Sequence, residues 1–485
     1  MNRFTATVFV LASLATAVTA LRAAADQLPI PGPLEIVGAH PWSLPPAGEC
    51  EPGGGLAAGP FQDASPPLPF VPGQVLDMSS LPTLRVYLPP EIWEHRDSFF
   101  FDGMQLEVGA CFADYSPPGF FAEATDIFGG QARLLPNGGL ENHVAGLPFP
   151  PHQIAVADAD AGQKWAWNFE RRYRAGGFRG RFRIEDLLGE HSKLEPFEGE
   201  IFQVQLGARA DRPADGYRFP DSEKYAWAAG GRFSEPFLLN DFAWLQFRSA
   251  ESQGDPRRTD DLHIWVPALS KIRRAPAGDL EGLFTPVAKV GVASGGSDKE
   301  KAEVEPKRSG FEGLELRPLL YRFSVLGIQD VLTPINARRP VYPADDTHGF
   351  GPSALAWSSD RWDVRRSLIL EGRRRDAESP GRARVRMWID VQTMQPLYYS
   401  SYDENDRRVD VGYFVGRWSE GRDKYPRWPD DEKRAVRIVD SAGAAFLNLK
   451  LKSSWRRESW DMISIPQNDR RVRRSISLQS LRKSR

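Results

Sequence analysis

The sequence lacks the residue patterns that mark most enzyme families. Its 485 residues include only two cysteines and seven histidines, and no two histidines are spaced for joint binding of a metal ion. It contains no G-x-S-x-G nucleophile turn, H-E-x-x-H zinc helix, P-loop or G-x-G-x-x-G turn. These absences disfavour the common hydrolases, zinc enzymes and nucleotide-binding enzymes. We therefore expect no catalytic residue set, no metal and no cofactor.

An excess of charge of one sign is also missing. The 62 basic and 64 acidic side chains nearly cancel, which argues against a nucleic-acid partner. The two cysteines, Cys50 and Cys111, are too few for a thiolate metal site. In an oxidising compartment they either form a disulfide or remain two independent thiols.

Only one uncharged apolar run approaches the length of a membrane span, and it lies at the N-terminus. The run covers residues 5–21, follows Arg3 and precedes three alanines that end at Ala25. This pattern is typical of a secretory signal peptide, residues 1–25, that is cleaved after Ala25. An uncleaved membrane anchor is the alternative. A lipoprotein is disfavoured because the first cysteine is Cys50, and we expect the mature protein outside the cytoplasm.

Changes in composition divide the rest of the chain into segments. Residues 26–83 are rich in proline and glycine and predict an extended arm, because proline donates no backbone hydrogen bond. Residues 84–455 are expected to form the main β domain, with a solvated insertion at 293–310. Residues 456–485 form a basic tail. The tail is either a disordered solubilising end or a peripheral contact with anionic membrane lipids.

Alternation of apolar and polar side chains predicts the strands. In the segment 382–390, Val385 and Met387 share an apolar face, whereas Arg384 and Arg386 share a cationic face. Further strands are predicted at 202–206, 244–247, 262–266, 397–402, 409–415 and 447–451, with a hairpin turn at 403–406. Short strands at turn-like intervals, in a chain with 43 glycines and 40 prolines, predict a large antiparallel sheet.

One strongly aromatic helix is predicted at 161–173. Trp165, Phe169 and Tyr173 recur every four residues on one helical face, and Gly176 and Gly177 provide a stop. Such a helix must pack against something. It either closes the mouth of a curved sheet as a lid or contributes ordinary core side chains.

Apolar side chains on the helix and strands are candidates to line a cavity for an acyl chain or another hydrophobic ligand. The alternative is an ordinary filled core. Arg273 and Arg274 are candidates for contact with an anionic head group. The cavity and lid candidates are Trp165, Phe169, Tyr173, Phe202, Val204, Leu206, Trp265, Val385, Met387 and Tyr398.

Only one arrangement in the sequence suggests proton transfer. His263 follows Asp260 and Asp261, and two carboxylates could orient an imidazole. The alternation within strand 262–266 instead turns His263 away from Leu262 and Ile264, toward solvent. A structural role is therefore the favoured interpretation of His263.

Several segments together resemble a known family. They are LPPEIWEHRDSFFFDGMQLEVG at 88–109, AGLPFP at 145–150, WAWNFERRYR at 165–174, DDLHIWVPALSKIRRAP at 260–276, WDVRRSLILEG at 362–372 and MWIDVQTMQPLYYSSYDENDRRVDVGYF at 387–414. Over residues 84–420 the chain resembles the domain of unknown function 1329 family. These are exported proteobacterial proteins similar to outer-membrane lipoprotein-sorting proteins. The family provides no established catalytic residues and no ligand identity.

The resemblance implies a mainly β (α+β) fold, in which a large curved antiparallel sheet forms an incomplete, lipoprotein-carrier-like barrel covered by a few helices. It implies a periplasmic, non-enzymatic binding protein that shields a lipid or other hydrophobic ligand. Such a protein would act in envelope lipid or lipoprotein trafficking, alongside an inner-membrane exporter. The alternative is an envelope scaffold or stress sensor that binds other proteins. A third hypothesis is a hydrolase in which His263 acts with nearby carboxylates.

Overall fold

The structure is a computed structural model of the chain. The residues it describes are 70–155, 157–188, 192–193, 196–220, 222–277, 283–286, 307–309, 314–338, 350–379, 381–419, 427–428, 431–464 and 469–482. The predicted signal peptide, most of the predicted arm, Cys50 and most of the insertion at 293–310 lie outside these residues. Among the residues described, no helix has the length and apolar character needed to cross a bilayer.

The described residues are mostly β-strands. The strands are β1 (Val75–Leu76), β2 (Leu106–Cys111), β3 (Arg133–Leu134), β4 (Leu140–Glu141), β5 (Gly177–Leu188), β6 (Ser192–Lys193), β7 (Phe197–Gln205), β8 (Tyr225–Glu235), β9 (Ala243–Ser249), β10 (Asp261–Val266), β11 (Lys271–Ala275), β12 (Phe284–Pro286), β13 (Lys307–Ser309), β14 (Tyr321–Thr333), β15 (Arg361–Arg374), β16 (Arg384–Asp390), β17 (Pro396–Tyr402), β18 (Arg408–Trp418), β19 (Arg427–Trp428), β20 (Asp431–Ala435), β21 (Val439–Asn448) and β22 (Ser453–Ser464).

Helices are short and few among the described residues. The α-helices are α1 (Pro90–Glu94), α2 (Arg96–Phe99), α3 (Gly119–Phe128), α4 (Ala161–Glu170) and α5 (Asp469–Ser475). Two 3-10 helices matter for the packing, Met78–Tyr87 before α1 and Leu478–Arg482 after α5. The predicted aromatic helix is α4, which ends three residues before the expected Tyr173.

Sixteen strands form one sheet. Its order is β1-β2-β15-β16-β17-β18-β21-β22-β5-β7-β8-β9-β10-β11, with β14 beside β15 and β6 beside β5. Neighbouring strands are antiparallel except β2 and β15, which pair in parallel. The sheet is therefore mixed rather than purely antiparallel, because β2 reaches β15 by a long connection that need not reverse direction. Within the strands described, β1 and β11 do not pair with each other, so the sheet is not closed into a barrel.

One face of the sheet packs against α3 and α4. We call this cluster the helix-side core and define it by Trp165, Phe169, Val385, Met387 and Phe446, all of which are buried. The predicted apolar face of β16 is confirmed by Val385 and Met387. Burial of this face by the aromatic residues of α4 fixes the helix against the sheet.

The opposite face of the sheet is also covered, because successive side chains of a strand point to opposite sides. Trp388 directly follows Met387 yet packs with Leu84 and Tyr87 in a second cluster, the N-terminal core. At the other end of the same face, a third cluster of buried residues forms the C-terminal core. Its members include Val204, Leu206, Leu245, Val472 and Leu481.

The cationic face of β16 is largely buried, and its arginines are paired with carboxylates. Arg384 Nη1 lies 3.1 Å from a Glu371 carboxylate oxygen, and Arg386 Nη2 lies 2.8 Å from the same carboxylate. Arg386 Nη1 also lies 2.7 Å from Glu91 of α1. Because the N-terminal segment covers this face, each buried guanidinium requires a carboxylate partner.

Two sequence-based boundaries differ from the structure. The alternating leucines predicted as a strand at 447–451 lie mostly in a turn, because β21 ends at Asn448 and the Asn448 side chain accepts a hydrogen bond from the Leu451 amide at 2.8 Å. Lys452 closes this turn with a φ of 48°. The sheet then continues through β22, so the expected domain end at residue 455 falls inside a strand.

Candidate functional site

Four of the predicted cavity and lid residues lie together in the helix-side core. Trp165 is 1% exposed, and Phe169, Val385 and Met387 are fully buried. Tyr173 lies beyond the end of α4, is half-buried, and packs at a tilt against Phe121 of α3 with ring centroids 5.3 Å apart. The structure therefore places α4 as a packed element, and its role as a lid stays a prediction.

The remaining candidates lie on the opposite face. Phe202, Val204, Leu206 and Trp265 belong to or pack against the C-terminal core. Tyr398 belongs to the N-terminal core, where its hydroxyl donates a hydrogen bond to the Leu332 carbonyl. The candidates are thus divided among three clusters and do not surround one common space.

The charged candidates lie near the sheet edge formed by β11. Arg273 and Arg274 are exposed, and Arg274 pairs with Asp261. Asp260 is buried and accepts a hydrogen bond from Gln246 Nε2 at 2.5 Å. Burial lowers the pKa of His263, although Asp261 raises it. The two carboxylates closest to His263 in the sequence, Asp260 and Asp261, thus already have structural partners in Gln246 and Arg274.

The predicted disulfide cannot be traced through the described residues. Cys111 is buried at the end of β2, and Cys50 lies outside the residues described. The pairing of the two stays a prediction.

The basic tail folds onto the sheet. Val472 of α5 and Leu481 of the following 3-10 helix are buried in the C-terminal core. Arg232 of β8 donates hydrogen bonds to the carbonyls of Ser480 at 3.2 Å and Leu481 at 2.8 Å. Residues 470–474 thus have an apolar contact at Val472, while their arginines remain exposed.

A cavity of about 380 Å³ lies between this tail and the sheet. We call it the C-terminal cavity. Strands β5, β7, β8, β9 and β22 meet there because β22 pairs with β5, which pairs with β7. Its apolar lining includes Ile201, Phe202, Trp244, Leu245, Ile463 and Leu481. Its charged lining comprises Arg179, Arg181, Arg232, Arg471, Glu200 and Asp461.

The charge of the C-terminal cavity is net positive, with four arginines against two carboxylates in its lining. Arg232 is held by Asp241, and Arg181 lies 5.5 Å from the centre of the Trp460 ring. Arg471 stands on α5 at the exposed side. A guanidinium presents a planar donor fork that matches a carboxylate or phosphate. The lining is therefore suited to an acidic group joined to an apolar chain.

A smaller cavity of about 190 Å³ lies on the helix side of the sheet. Tyr173, Phe121 and Met394 contribute to its lining, together with Arg172 and His152. Of the three aromatic side chains predicted to form the lid, Tyr173 borders this cavity. Its volume lies below the roughly 300 Å³ at which cavities for small ligands usually begin.

The sequence reasoning missed a buried charge cluster at the end of α4. Arg174 Nη2 lies 2.7 Å from Glu315, and Arg172 Nη2 lies 3.6 Å from the same carboxylate. Arg248 Nε lies 2.8 Å from Asp260. Burial raises the pKa of Glu170, and the nearby charge of Glu315 raises it further. The sequence ERRYR at 170–174 could have indicated this cluster. It directly follows the buried aromatic residues of the helix, and charged side chains at such a position need oppositely charged partners.

Another buried carboxylate, Asp363 of β15, lies beside the N-terminal core. It accepts hydrogen bonds from the Tyr115 hydroxyl and from the Ala110 amide, the latter at 3.2 Å. Burial raises the pKa of Asp363 to about 6, although Tyr115 and the neighbouring arginines Arg361 and Arg365 oppose this shift. The folded protein therefore binds this proton more tightly than the unfolded chain does.

We expect Asp363 to make the protein less stable as the pH rises from about 4 to about 6. In this range the unfolded chain has lost the proton, whereas the folded state loses it only near the raised pKa. The free energy of unfolding should fall by about 1.4 kcal/mol per pH unit across this window. Urea unfolding of the wild type and Asp363→Asn at several pH values measures the difference. An unchanged pH slope in the variant would contradict the expectation.

Comparison with known proteins gives a family and remote structural likenesses. No curated protein matches the chain. An outer membrane lipoprotein-sorting protein domain from Vibrio parahaemolyticus is 14% identical with a TM-score of 0.38, over 67% of this chain and 100% of that chain. A DUF1329 family protein from Desulfovibrio piger is 13% identical with a TM-score of 0.40, over 66% and 98%. A LolA superfamily protein from Nitrosomonas europaea is 14% identical with a TM-score of 0.30, over 64% and 96%.

A family model described as "Protein of unknown function (DUF1329)" matches residues 100–416. This range contains most of the segments that carried the resemblance in the sequence, from the second half of 88–109 to the hairpin of β17 and β18. It ends before α5, so the tail side of the C-terminal cavity lies outside the match. The resemblance is confirmed, and the chain belongs to the DUF1329 family.

Proposed function

We propose that the protein is an exported, non-enzymatic binding protein that holds an acidic, lipid-like ligand in the C-terminal cavity. The observation that carries the proposal is the cavity itself, with an apolar floor from the sheet and a net positive wall. Its volume of about 380 Å³ falls within the usual range for small-ligand sites, about 300 to 1,000 Å³.

The lining explains why both parts of such a ligand would gain from binding. Phe202 and Leu245 offer apolar surface, and burial of an acyl chain contributes roughly 25 cal/mol for each Å² removed from water. Arg471 and Arg179 place guanidinium groups where the acidic end would lie. Charge-assisted hydrogen bonds to these groups are stronger than neutral ones.

The predicted location gives this binding a role. A signal peptide at 1–25 would send the chain to the periplasm, where lipid-like molecules need shielding from water. We propose transfer of such a molecule between membranes, alongside an inner-membrane exporter. Phe202 is the sequence-predicted ligand residue that lines the C-terminal cavity.

The direct test is native mass spectrometry with lipid extraction on the mature protein, purified gently from a periplasm. We expect a bound acidic lipid at one equivalent per chain. A mass without ligand, unchanged after incubation with envelope lipids, would overturn the proposal and favour the scaffold alternative.

Two substitutions in the cavity are expected to weaken binding of dansylated undecanoic acid, a fluorescent acidic probe. Phe202→Glu places a carboxylate on the apolar floor, and Arg471→Glu reverses a charge on the exposed wall. Each should raise the dissociation constant about tenfold or more, equivalent to about 1.4 kcal/mol. Fluorescence titration measures the constant, and displacement by oleate tests the class of ligand.

The matched control is Arg257→Glu, which reverses the charge of an exposed arginine outside the cavity lining. It should leave the affinity for the probe unchanged. Arg471 is also exposed, so its substitution should not unfold the protein. Equal loss in the Arg257 and Arg471 variants would show a general charge effect and contradict the assignment of the cavity.

A further inference from the structure

Two turns at one end of the sheet present apolar side chains to solvent. Phe237, between β8 and β9, is 84% exposed, and Leu269, between β10 and β11, is 48% exposed. Most large apolar side chains in the described residues are buried, so exposure at two turn tips is unusual. Neither side chain is buried in the core, so core packing does not explain why an apolar residue occurs at these positions.

The strand register places both turns at the same end. Ala243 pairs with Arg232 on β8 and with Trp265 on β10, and Val266 pairs with Lys271 on β11. The two turns therefore extend beyond the sheet in the same direction. Because the hairpins are two strand spacings apart, their bases lie about 10 Å from each other.

The two turns are held in place by their own hydrogen bonds. The Leu239 amide donates to the Pro236 carbonyl at 2.8 Å, and the Asp241 amide donates to the Phe233 carbonyl at 3.0 Å. The Ser270 amide donates to the Pro267 carbonyl at 2.9 Å. Arg232 pairs with Asp241 across the base of the first turn. The apolar tips are thus presented in a fixed arrangement, which lowers the entropy lost on binding.

Cations accompany these tips. Lys271 and Arg273 on β11 are exposed beside the second turn. The acidic groups at this end include Glu235, which is exposed, and Asp241, which is neutralised by Arg232. On the neighbouring strand β7, Glu198 pairs with Arg183, and Glu200 lines the C-terminal cavity. An exposed aromatic and a leucine next to Lys and Arg are the side chains that interfacial membrane proteins place at the head-group level.

We propose that this end of the sheet docks on an anionic bilayer surface, with Phe237 and Leu269 entering the interface and Lys271 and Arg273 facing the lipid head groups. The inference goes beyond the ligand cavity and holds whether or not the cavity binds lipid. Docking would also bring the C-terminal cavity close to the membrane as a source of ligand. Arg232 and Ala243 line this cavity and lie at the bases of these turns. A docked molecule would hold that part of the cavity near the membrane.

The test is co-sedimentation of the mature chain with vesicles of phosphatidylcholine and phosphatidylglycerol in roughly a 3:1 ratio, at about 0.1 M salt. We expect binding to these vesicles and weaker binding to phosphatidylcholine alone. Phe237→Ser with Leu269→Ser should lower the partition constant about tenfold. Lys271→Glu with Arg273→Glu should abolish the preference for anionic vesicles.

The matched control is Ile127→Ser on α3, which removes an apolar side chain that is 53% exposed elsewhere on the protein. It should bind vesicles like the wild type. Absence of wild-type binding, or equal binding by the Phe237/Leu269 variant, would overturn the proposal. A dimer that this variant converts to a monomer would also overturn it, because the tips would then be a subunit interface. The variant should keep its affinity for the dansylated probe, so a failed membrane test leaves the cavity proposal standing.

Discussion

Trp165→Ala is expected to lower the free energy of unfolding by about 3 to 5 kcal/mol. Trp165 is 1% exposed and lies between α4 and the sheet in the helix-side core. The helix itself has no space to shift, because a side-chain carbon at Gly162 would lie 2.3 Å from the Phe323 carbonyl oxygen. The cavity left by the indole could therefore collapse only in part, and most of its contacts would be lost.

Urea unfolding followed by circular dichroism measures this loss. Phe237→Ala is the control, since it truncates an aromatic side chain that is largely exposed and should change stability by less than about 0.5 kcal/mol. If α4 were a lid that opens to release ligand, Trp165→Ala would leave stability nearly intact and speed release of the dansylated probe. That result would contradict the core assignment and support the lid predicted from the sequence.

The helix shows what an apolar repeat does and does not determine. Spacing of four residues correctly predicted that Trp165 and Phe169 share one buried face of α4. The same spacing is produced by a lid and by a core helix, because both bury one side. Only the packing of α4 against β14 and the depth of burial distinguish the two, and both depend on contacts between distant parts of the chain.

Strand β16 shows a related limit. Alternation correctly placed Val385 and Met387 in a core and Arg384 and Arg386 on a cationic face, but it did not indicate what covers that cationic face. That face is covered because the N-terminal segment packs over it, as the pairing of Arg386 with Glu91 shows. No local pattern in β16 contains this information, since Glu91 lies far away in the sequence.

The candidate site was less accessible to sequence reasoning than the fold. Phe202 was predicted as a ligand residue and lines the C-terminal cavity, whereas Arg471 was assigned only to a basic tail. The two meet because β22 returns the chain beside β5 and places α5 over the sheet. Strand existence follows from local alternation, but the order of strands in a sheet does not.

Glu315→Gln is expected to cost about 3 to 5 kcal/mol of folding free energy, because it removes the charge that neutralises two buried arginines. Arg174 lies 2.7 Å and Arg172 3.6 Å from the Glu315 carboxylate. Glutamine keeps nearly the same shape, so the loss would report charge rather than packing. Without Glu315, the carboxylate next to Arg174 is Glu170, at 3.7 Å.

Glu404→Gln is the matched control, because Glu404 pairs with Arg374 while its side chain is 65% exposed. Exposed pairs of this kind contribute about 1 kcal/mol or less. The Glu315 variant should also lower the pKa of Glu170, which the Glu315 charge raises in the wild type. A raised carboxyl pKa makes stability fall as pH increases through it, so the variant should lose less stability with rising pH than the wild type. Equal costs for the two variants would mean that the charge cluster at the end of α4 is solvated, and that its pairing contributes little to the stability of the helix.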